Sequence, residues 1–348
     1  MADAPRRATV GDEPAMSSIF VAWTAFQRRQ VSMAPHCGCQ TVFFPVARHA
    51  GRLAKAWTYL ANAWRTWRCL RSARPGVVWV QLPQVPLLWV ALLYRALSRS
   101  KVSVVADCHN AQLRPPWSRF PLALSSLRRA DVVLVHNQAM LAQARALGWP
   151  MDHLRVLEDV PPVGKAQAPN GTARRLIARA KPWVVFPGSF AADEPIGEIL
   201  AAARLAPEIC FILTGRIETA RRHGHVLDDL PANVVLPGFL PVDAFDDLLR
   251  EADAVLGLTK VEGIQLSVCN EALGFGRPLV TSDTRLLREM FGAAAVLVDT
   301  ASPASIAQGC RAALADAGRR SALSVALGQQ RLAAWTCDQL AEVQRLLR

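Results

Sequence analysis

Acidic residues are absent from the whole stretch between Glu13 and Asp107, which carries 12 lysines and arginines. A continuous apolar run long enough to cross a membrane is also missing. The longest candidate, residues 77–97, is broken by Gln81, Pro83, Gln84, Pro86 and Arg95, and it reads as a strand followed by a helix. Residues 1–15 hold Arg6 and Arg7 but no apolar segment, so no secretory leader is expected. The eight cysteines are scattered, and only Cys37 and Cys39 lie close together. A C-x-C pair alone is neither a zinc nor a redox signature, so reduced cytosolic thiols are expected. The seven histidines and the acids show no H-x-x-x-H or D-x-D spacing, and no protein-bound metal is expected. The absence of G-x-x-x-x-G-K-[ST] excludes P-loop chemistry, and the absence of G-x-S-x-G weighs against an α/β-hydrolase.

What the sequence does hold is 348 residues, 51% of them hydrophobic, which suits two cores of similar size better than one. The net charge of +12 is uneven. Residues 1–150 hold 19 basic and 5 acidic residues, whereas residues 151–348 hold 21 and 23. Eight of the ten tryptophans fall in the basic half. Trp favours lipid–water interfaces and Arg favours phosphate, so this half is expected to touch an anionic membrane. Nucleic acid is the rival partner and is not expected; a merely arginine-rich composition is the plain alternative. The implied location is cytoplasmic, peripheral at the inner face of the cell membrane. A helical pattern over residues 53–70 puts Leu53, Trp57, Leu60, Trp64 and Trp67 on one face, with Arg52, Lys55, Arg65, Arg68 and Arg71 at its sides and back. That face either packs on a sheet like any covering helix or leaves a rim for anionic lipid.

Strand-like runs alternate with helical ones throughout. Strands are expected at 18–23, 40–44, 77–81, 102–106 and 132–136, then at 183–186, 209–214, 233–236, 254–258, 278–281 and 295–298. Short apolar strands separated by helices predict parallel sheets covered on both faces. The fold class is therefore α/β, with two Rossmann-like domains whose parallel sheets are expected to face each other across a cleft. Pro161, Pro162, Gly164 and the polar stretch to Gly171 read as the linker. The expected domains are 1–162 and 163–330. A C-terminal helix, 331–348, is expected to pack back on the first domain. In open parallel sheets ligands gather beyond the carboxyl ends of strands, so the residues just after each strand matter most.

The most informative segment is 256–283, LGLTKVEGIQLSVCNEALGFGRPLVTSD. A strand ends near Leu258, a loop carries Lys260, Glu262 and Gly263, and a helix runs from about Leu266 to Phe275 before Gly276 stops it. A loop feeding a helix N-terminus presents backbone N–H groups and a positive dipole end, which suit a diphosphate. Carboxylates nearby suit the hydroxyl groups of a ribose and a sugar.

Glu-Gly-x-x-Leu, then Glu-Ala-Leu, then Gly-x-Pro before an apolar strand resembles the donor-site signature of GT-B-type glycosyltransferases of the Glu-x7-Glu, family-4-like type. The likeness extends over most of the chain through Phe-Pro-Gly-Ser (186–189), Leu-Thr-Gly-Arg (213–216) and Asn-Val-Val-Leu-Pro-Gly-Phe (233–239). It implies a UDP- or GDP-linked sugar as co-substrate, with no tightly bound cofactor. Glu271 would bind the ribose hydroxyls, and Glu262 would sit near the transferred sugar. The backbone of Gly263, Ile264, Gln265 and Leu266 would face the diphosphate. Arg216 and Lys260 would neutralise phosphate. Gly188 and Ser189 would open the donor domain, and the turn with Gly238 and Phe239 would border the base. Eight residues separate Glu262 from Glu271, one more than the family pattern. Either the loop is a residue longer or Gly263 stands in the place of Glu262; one residue on a helix turns a side chain by roughly a quarter turn.

In the basic half, Asp107-Cys108-His109-Asn110 follows an apolar strand. Asp-x-His-Asn here resembles β-mannosyltransferases acting on diphospho-lipid acceptors. In an inverting reaction Asp107 would be the base for the acceptor hydroxyl. In a retaining one His109 would only position the sugar. Asp107 capping the following turn is the structural alternative. Asn110, His136 and the pair Arg28–Arg29 are further candidates for binding acceptor or phosphate, although two arginines at a helix start also suit a plain surface. The expected function is transfer of a sugar to a lipid-linked or polysaccharide acceptor. The alternatives are a nucleotide-sugar epimerase and a non-catalytic membrane- or nucleic-acid-binding protein on a transferase fold.

Overall fold

The computed structural model describes residues 17–46, 51–150, 152–161 and 169–348. The leader reading of residues 1–15, the side chain of Arg52 and the 162/163 boundary with Pro162 and Gly164 lie outside them. The chain divides into two compact units. The first comprises residues 1–135, 144–155 and 343–348; the second comprises 136–143 and 156–342.

In the first unit the strands are β1 (Ser18–Ala22), β2 (Cys39–Phe43), β3 (Val77–Leu82), β4 (Ser103–Cys108), β5 (Val132–Val135) and β6 (Leu154–Val156). They form one sheet in the order β2-β1-β3-β4-β5-β6. The paired strands β1 to β5 run parallel. The central strands bury every residue on both faces except Gln81, which is why they read as continuous apolar runs instead of alternating ones. Helices α1 (Arg28–Cys37), α2 (Arg52–Ala73), α3 (Val85–Leu97), α4 (Ala123–Leu127) and α5 (Gln138–Ala146) connect them. The chain steps one way from β1 to β2 and the other way from β2 to β3, β4 and β5. Right-handed crossovers therefore put α2, α3 and α4 on one face and α1 on the other, and α3 touches both α2 and α4.

Helix α2 is turned opposite to an ordinary covering helix. The side chains it buries include Asn62, Thr66 and Leu70. The Asn62 amide donates to the carbonyls of Phe44 and Pro45 at 3.2 and 3.1 Å, and Trp23 Nε1 donates to Thr66 Oγ1 at 3.0 Å. Leu53, Trp57, Leu60 and Trp64 face outward, with Trp57 71% and Trp64 62% exposed. The reading in which the Trp face packs on the sheet is corrected: periodicity groups residues on a face, but here hydrogen bonds decide which face turns in. Of the five residues of the stripe, Trp67 is the half-buried one, edge-on to Tyr94 at 6.4 Å.

The second unit holds β7 (Trp183–Pro187), β8 (Cys210–Thr214), β9 (Val234–Gly238), β10 (Ala254–Gly257), β11 (Leu279–Ser282) and β12 (Val296–Val298) in the order β12-β11-β10-β7-β8-β9. Every pair is parallel. Its helices are α6 (Thr172–Ile177), α7 (Ile196–Leu205), α8 (Ile217–Arg222), α9 (Val242–Glu251), α10 (Ser267–Gly274), α11 (Arg285–Phe291), α12 (Pro303–Ala315) and α13 (Ala317–Ala334). Apolar clusters pack both faces of the sheet. Phe186, Phe211, Leu256 and Ile306 belong to one, and Trp183, Ile212, Leu248 and Phe291 to the other. Past α13 comes α14 (Ala341–Leu347), and residues 343–348 count with the first unit. Among the described residues no helix is long and apolar enough to cross a membrane.

Candidate functional site

Three strand-end loops of the second unit meet at the carboxyl edge of β7, β8 and β9. Gly188 N–H donates to the Thr214 carbonyl at 3.1 Å, and Gly215 N–H donates to the Gly238 carbonyl at 3.0 Å. A Cβ on Gly215 would lie 2.7 Å from the Gly188 carbonyl oxygen and 2.7 Å from the Phe190 ring, and its φ of +142° is one that side chains rarely adopt. Close backbone approach is thus the reason for glycine there. Gly238, at φ +81°, has open space where its Cβ would be. From this edge the exposed Arg216 lies over the ring of the exposed Phe239, 4.2 Å from its centre. Gly188, Ser189, Arg216, Gly238 and Phe239, scattered over fifty residues of sequence, are brought together.

The loop after β7 is fastened by a residue that the sequence reading missed. Both Glu194 oxygens accept from the Ser189 backbone N–H, at 2.9 and 3.1 Å. One also accepts from Ser189 Oγ at 2.8 Å and the other from Phe190 N–H at 2.7 Å. Burial pushes the Glu194 carboxyl above its usual range against these hydrogen bonds. Beside it Asp193 accepts from Thr259 Oγ1 at 2.8 Å and from Lys260 N–H through its carbonyl. Ser282 Oγ exchanges bonds of 2.8 and 3.0 Å with the Thr259 backbone. A short acidic loop followed by hydroxyl residues at strand ends was the available signal.

After β10, Lys260 pairs with Glu198 at 2.7 Å, so part of its charge is committed within the unit. Glu262 accepts from the backbone N–H groups of Gly263, Arg285 and Leu286 at 2.9, 2.9 and 3.2 Å. With Thr284 accepting from Leu287 N–H, it caps the first turn of α11. Burial opposes its charge, but these backbone donors and the Arg285 guanidinium prevail and hold the carboxyl below its usual range. The exposed Glu262 carboxylate therefore holds a helix start, a contact that the sequence reading did not foresee. Gly263, at φ +79°, has only Ala139 near, 3.9 Å from an ideal Cβ. Ile264, Gln265 and Leu266 are half-buried. Both amide atoms of Gln265 are buried without a hydrogen-bond partner. Helix α10 starts with no side-chain cap, leaving N–H groups at its positive end. Glu271 is buried on α10.

In the first unit Asp107 is the penultimate residue of β4 and is fully buried. Arg29, in the first turn of α1, holds it with two nitrogens: Nε to Oδ2 at 3.0 Å and Nη2 to Oδ1 at 3.0 Å, with 1% and 0% of the two side chains exposed. Arg29 is thus turned inward onto Asp107, and both side chains are closed to solvent. Arg28, His109 and Asn110 are half-buried, the latter two opening the turn after β4. His136 follows β5, is buried and counts with the second unit. Next to it Asn137 Oδ1 accepts from Met140 N–H at 2.9 Å and caps α5.

The comparisons with known proteins agree with this architecture. Residues 13–159 match the Glycosyl transferase 4-like domain, and residues 181–316 match Glycosyl transferases group 1. No curated protein matches the chain. Among solved structures it is similar to sucrose-phosphate synthase from Thermosynechococcus elongatus, at 16% identity and TM-score 0.69, over 95% of this chain and 99% of that one. It is also similar to Anabaena HepE in complex with UDP-glucose, at 15% identity and TM-score 0.68, over 95% and 99%. A lipopolysaccharide outer core galactosyltransferase, WaaB, aligns at 14% identity and TM-score 0.57, over 95% and 99%. With two six-stranded parallel sheets, each flanked by helices, and the two domain matches lying end to end, the chain is a glycosyltransferase of the GT-B fold.

Proposed function

We propose that the protein transfers a sugar from a UDP- or GDP-linked donor to a lipid-linked or polysaccharide acceptor, without a bound metal, at the cytoplasmic face of a membrane. The observation that carries the donor half is the meeting of the glycine edges at 188, 215 and 238 beside Arg216 and Phe239. A diphosphate needs close backbone and a cation, and a base needs a flat wall. Similarity to HepE, held with UDP-glucose, supports the same reading. Glu271 is assigned to the ribose hydroxyls, and the uncapped start of α10 to the diphosphate. On the acceptor side, a general base must reach the hydroxyl it deprotonates. Asp107 is buried with both oxygens on Arg29, so we assign it a positioning role: it fixes α1 against β4 and the turn bearing His109 and Asn110. His109 then orients the sugar, and the chemistry proceeds without a dedicated carboxylate base.

The test is thermal unfolding with UDP, GDP and their sugars. A ligand at a hundred times its Kd adds about 2.7 kcal/mol, a shift easily read. Removing the Arg216 charge with Arg216→Ala should weaken nucleotide binding about tenfold or more, as loss of a charged hydrogen bond does. If no nucleotide raises the melting temperature at millimolar levels, the donor assignment fails.

A further inference from the structure

We infer that the outer face of α2, α3 and α4 is a docking surface for an anionic phospholipid bilayer, with Trp57 and Trp64 as the residues that enter the lipid. The inference deepens the acceptor-side reading above and rests on it.

Three observations carry it. The first is the inverted seating of α2. Its sheet side is held by the Asn62 and Thr66 hydrogen bonds, while Leu53, Trp57, Leu60 and Trp64 cover one outer stripe. An exposed contiguous apolar face of this kind marks an interaction site. The second is its continuation across the layer. On α3, Leu93 and Leu97 are exposed, and Leu122 is exposed at the start of α4. Between α3 and α4 lies a groove of about 460 Å³ lined by Trp89, Leu92, Leu93 and Leu122, with Arg129 at its edge. The third is charge. Helices α2, α3 and α4 contain no carboxylate. Arg65 and Arg68 lie beside the α2 stripe, and Arg71 continues it. Exposed Arg128 and Arg129 follow α4.

An apolar stripe rimmed by cations matches a headgroup layer over acyl chains: Trp seats at the interface, leucines reach the chains and guanidinium groups meet phosphates. Single-stranded nucleic acid would use the tryptophans and arginines but gives the aliphatic Leu53, Leu60, Leu93 and Leu97 nothing to stack on. A second copy pairing through the same face would set arginines against arginines.

The experiment is vesicle flotation of the full chain, using phosphatidylcholine alone and phosphatidylcholine with about one-third phosphatidylglycerol. Trp57→Ala/Trp64→Ala and Arg65→Gln/Arg68→Gln are compared with the parent, and UDP and GDP protection is read on the same preparations. Both tryptophans are mostly exposed, so the first variant should melt with the parent. We expect salt-sensitive binding to the anionic vesicles only. The tryptophan variant should lose it about tenfold or more, and the arginine variant should lose about fivefold per charge. Equal binding by the tryptophan variant overturns the proposal, as does equal binding to neutral vesicles. So does a parent dimer that the tryptophan variant dissolves, or absence of vesicle binding with single-stranded RNA bound through Arg65 and Arg68. Nucleotide protection without vesicle binding removes this docking face and leaves the transferase assignment standing; vesicle binding without protection does the reverse.

Discussion

Replacing Asp107 by Asn separates a positioning carboxylate from a catalytic base. The change keeps the shape and removes one charge opposite Arg29, whose side chain is 1% exposed and whose Nε and Nη2 both lie 3.0 Å from the carboxylate. Breaking a buried pair by removing one partner leaves an uncompensated ion and costs about 3–5 kcal/mol. For a domain of this size about 1 kcal/mol corresponds to about 2–4 °C, so Asp107→Asn should lower the melting temperature by roughly 10 °C. Removing both charges with Arg29→Met/Asp107→Leu should recover most of that loss, because no lone ion then remains. Calorimetry reads the stability, and kcat/KM against pH reads the chemistry. With a positioning role, the variant loses stability and some turnover but keeps the shape of the pH profile. A variant that melts with the parent, yet loses turnover together with the acid limb of that profile, would refute the argument and restore Asp107 as the base.

Gly215→Ala would press a methyl group against the Gly188 carbonyl at a φ of +142°; it should cost about 1–3 kcal/mol and abolish nucleotide protection in the same melting assay. Glu262 has a folded-state carboxyl below the usual range, so its contribution is present above the unfolded pKa and is lost as pH falls through the folded one. Glu262→Gln should therefore flatten the acid side of a stability–pH curve, by no more than about 1 kcal/mol because the group is exposed. Burial pushes the Cys269 and Cys310 thiols up to about 12. A native iodoacetamide digest should accordingly label exposed Cys337 and spare these two, with labelling of Cys269 in the folded chain counting against the packing described.

Eleven of the twelve strands among the described residues were legible as short apolar runs, within two residues at their ends, because a doubly covered parallel sheet writes itself as continuous Val, Ile and Leu. The exception, β6, is three residues long, too short to stand out from its surroundings. The α10 loop and helix were legible through Gly263 and Gly276, the stop after the helix. What periodicity does not carry is partner choice at long range. Arg29 and Asp107 are 78 residues apart, and nothing local marks them as a pair. Glu262, expected near the transferred sugar, also serves a helix beginning 23 residues later. The orientation of α2 was undecided for a related reason: whether its apolar stripe or its Asn62–Thr66 side meets the sheet depends on Trp23 and the carbonyls of Phe44 and Pro45, none of which belongs to the helix.

That seating has a dynamic consequence. A covering helix normally resists opening in proportion to the apolar area it hides, whereas α2 leaves most of its stripe exposed and is fastened by Leu70, by Tyr59 on Trp23, by Trp67 on Tyr94 and by a few directional bonds at Asn62 and Thr66. Such bonds contribute about 0.5–1.5 kcal/mol each, so α2 is the element of the first unit best placed to detach as a subglobal unit. Its amides should exchange with solvent well before those of β3 and β4. A surface pressed on the outer stripe would supply the second wall that the fold leaves off, and slowed exchange confined to α2 would be its signature.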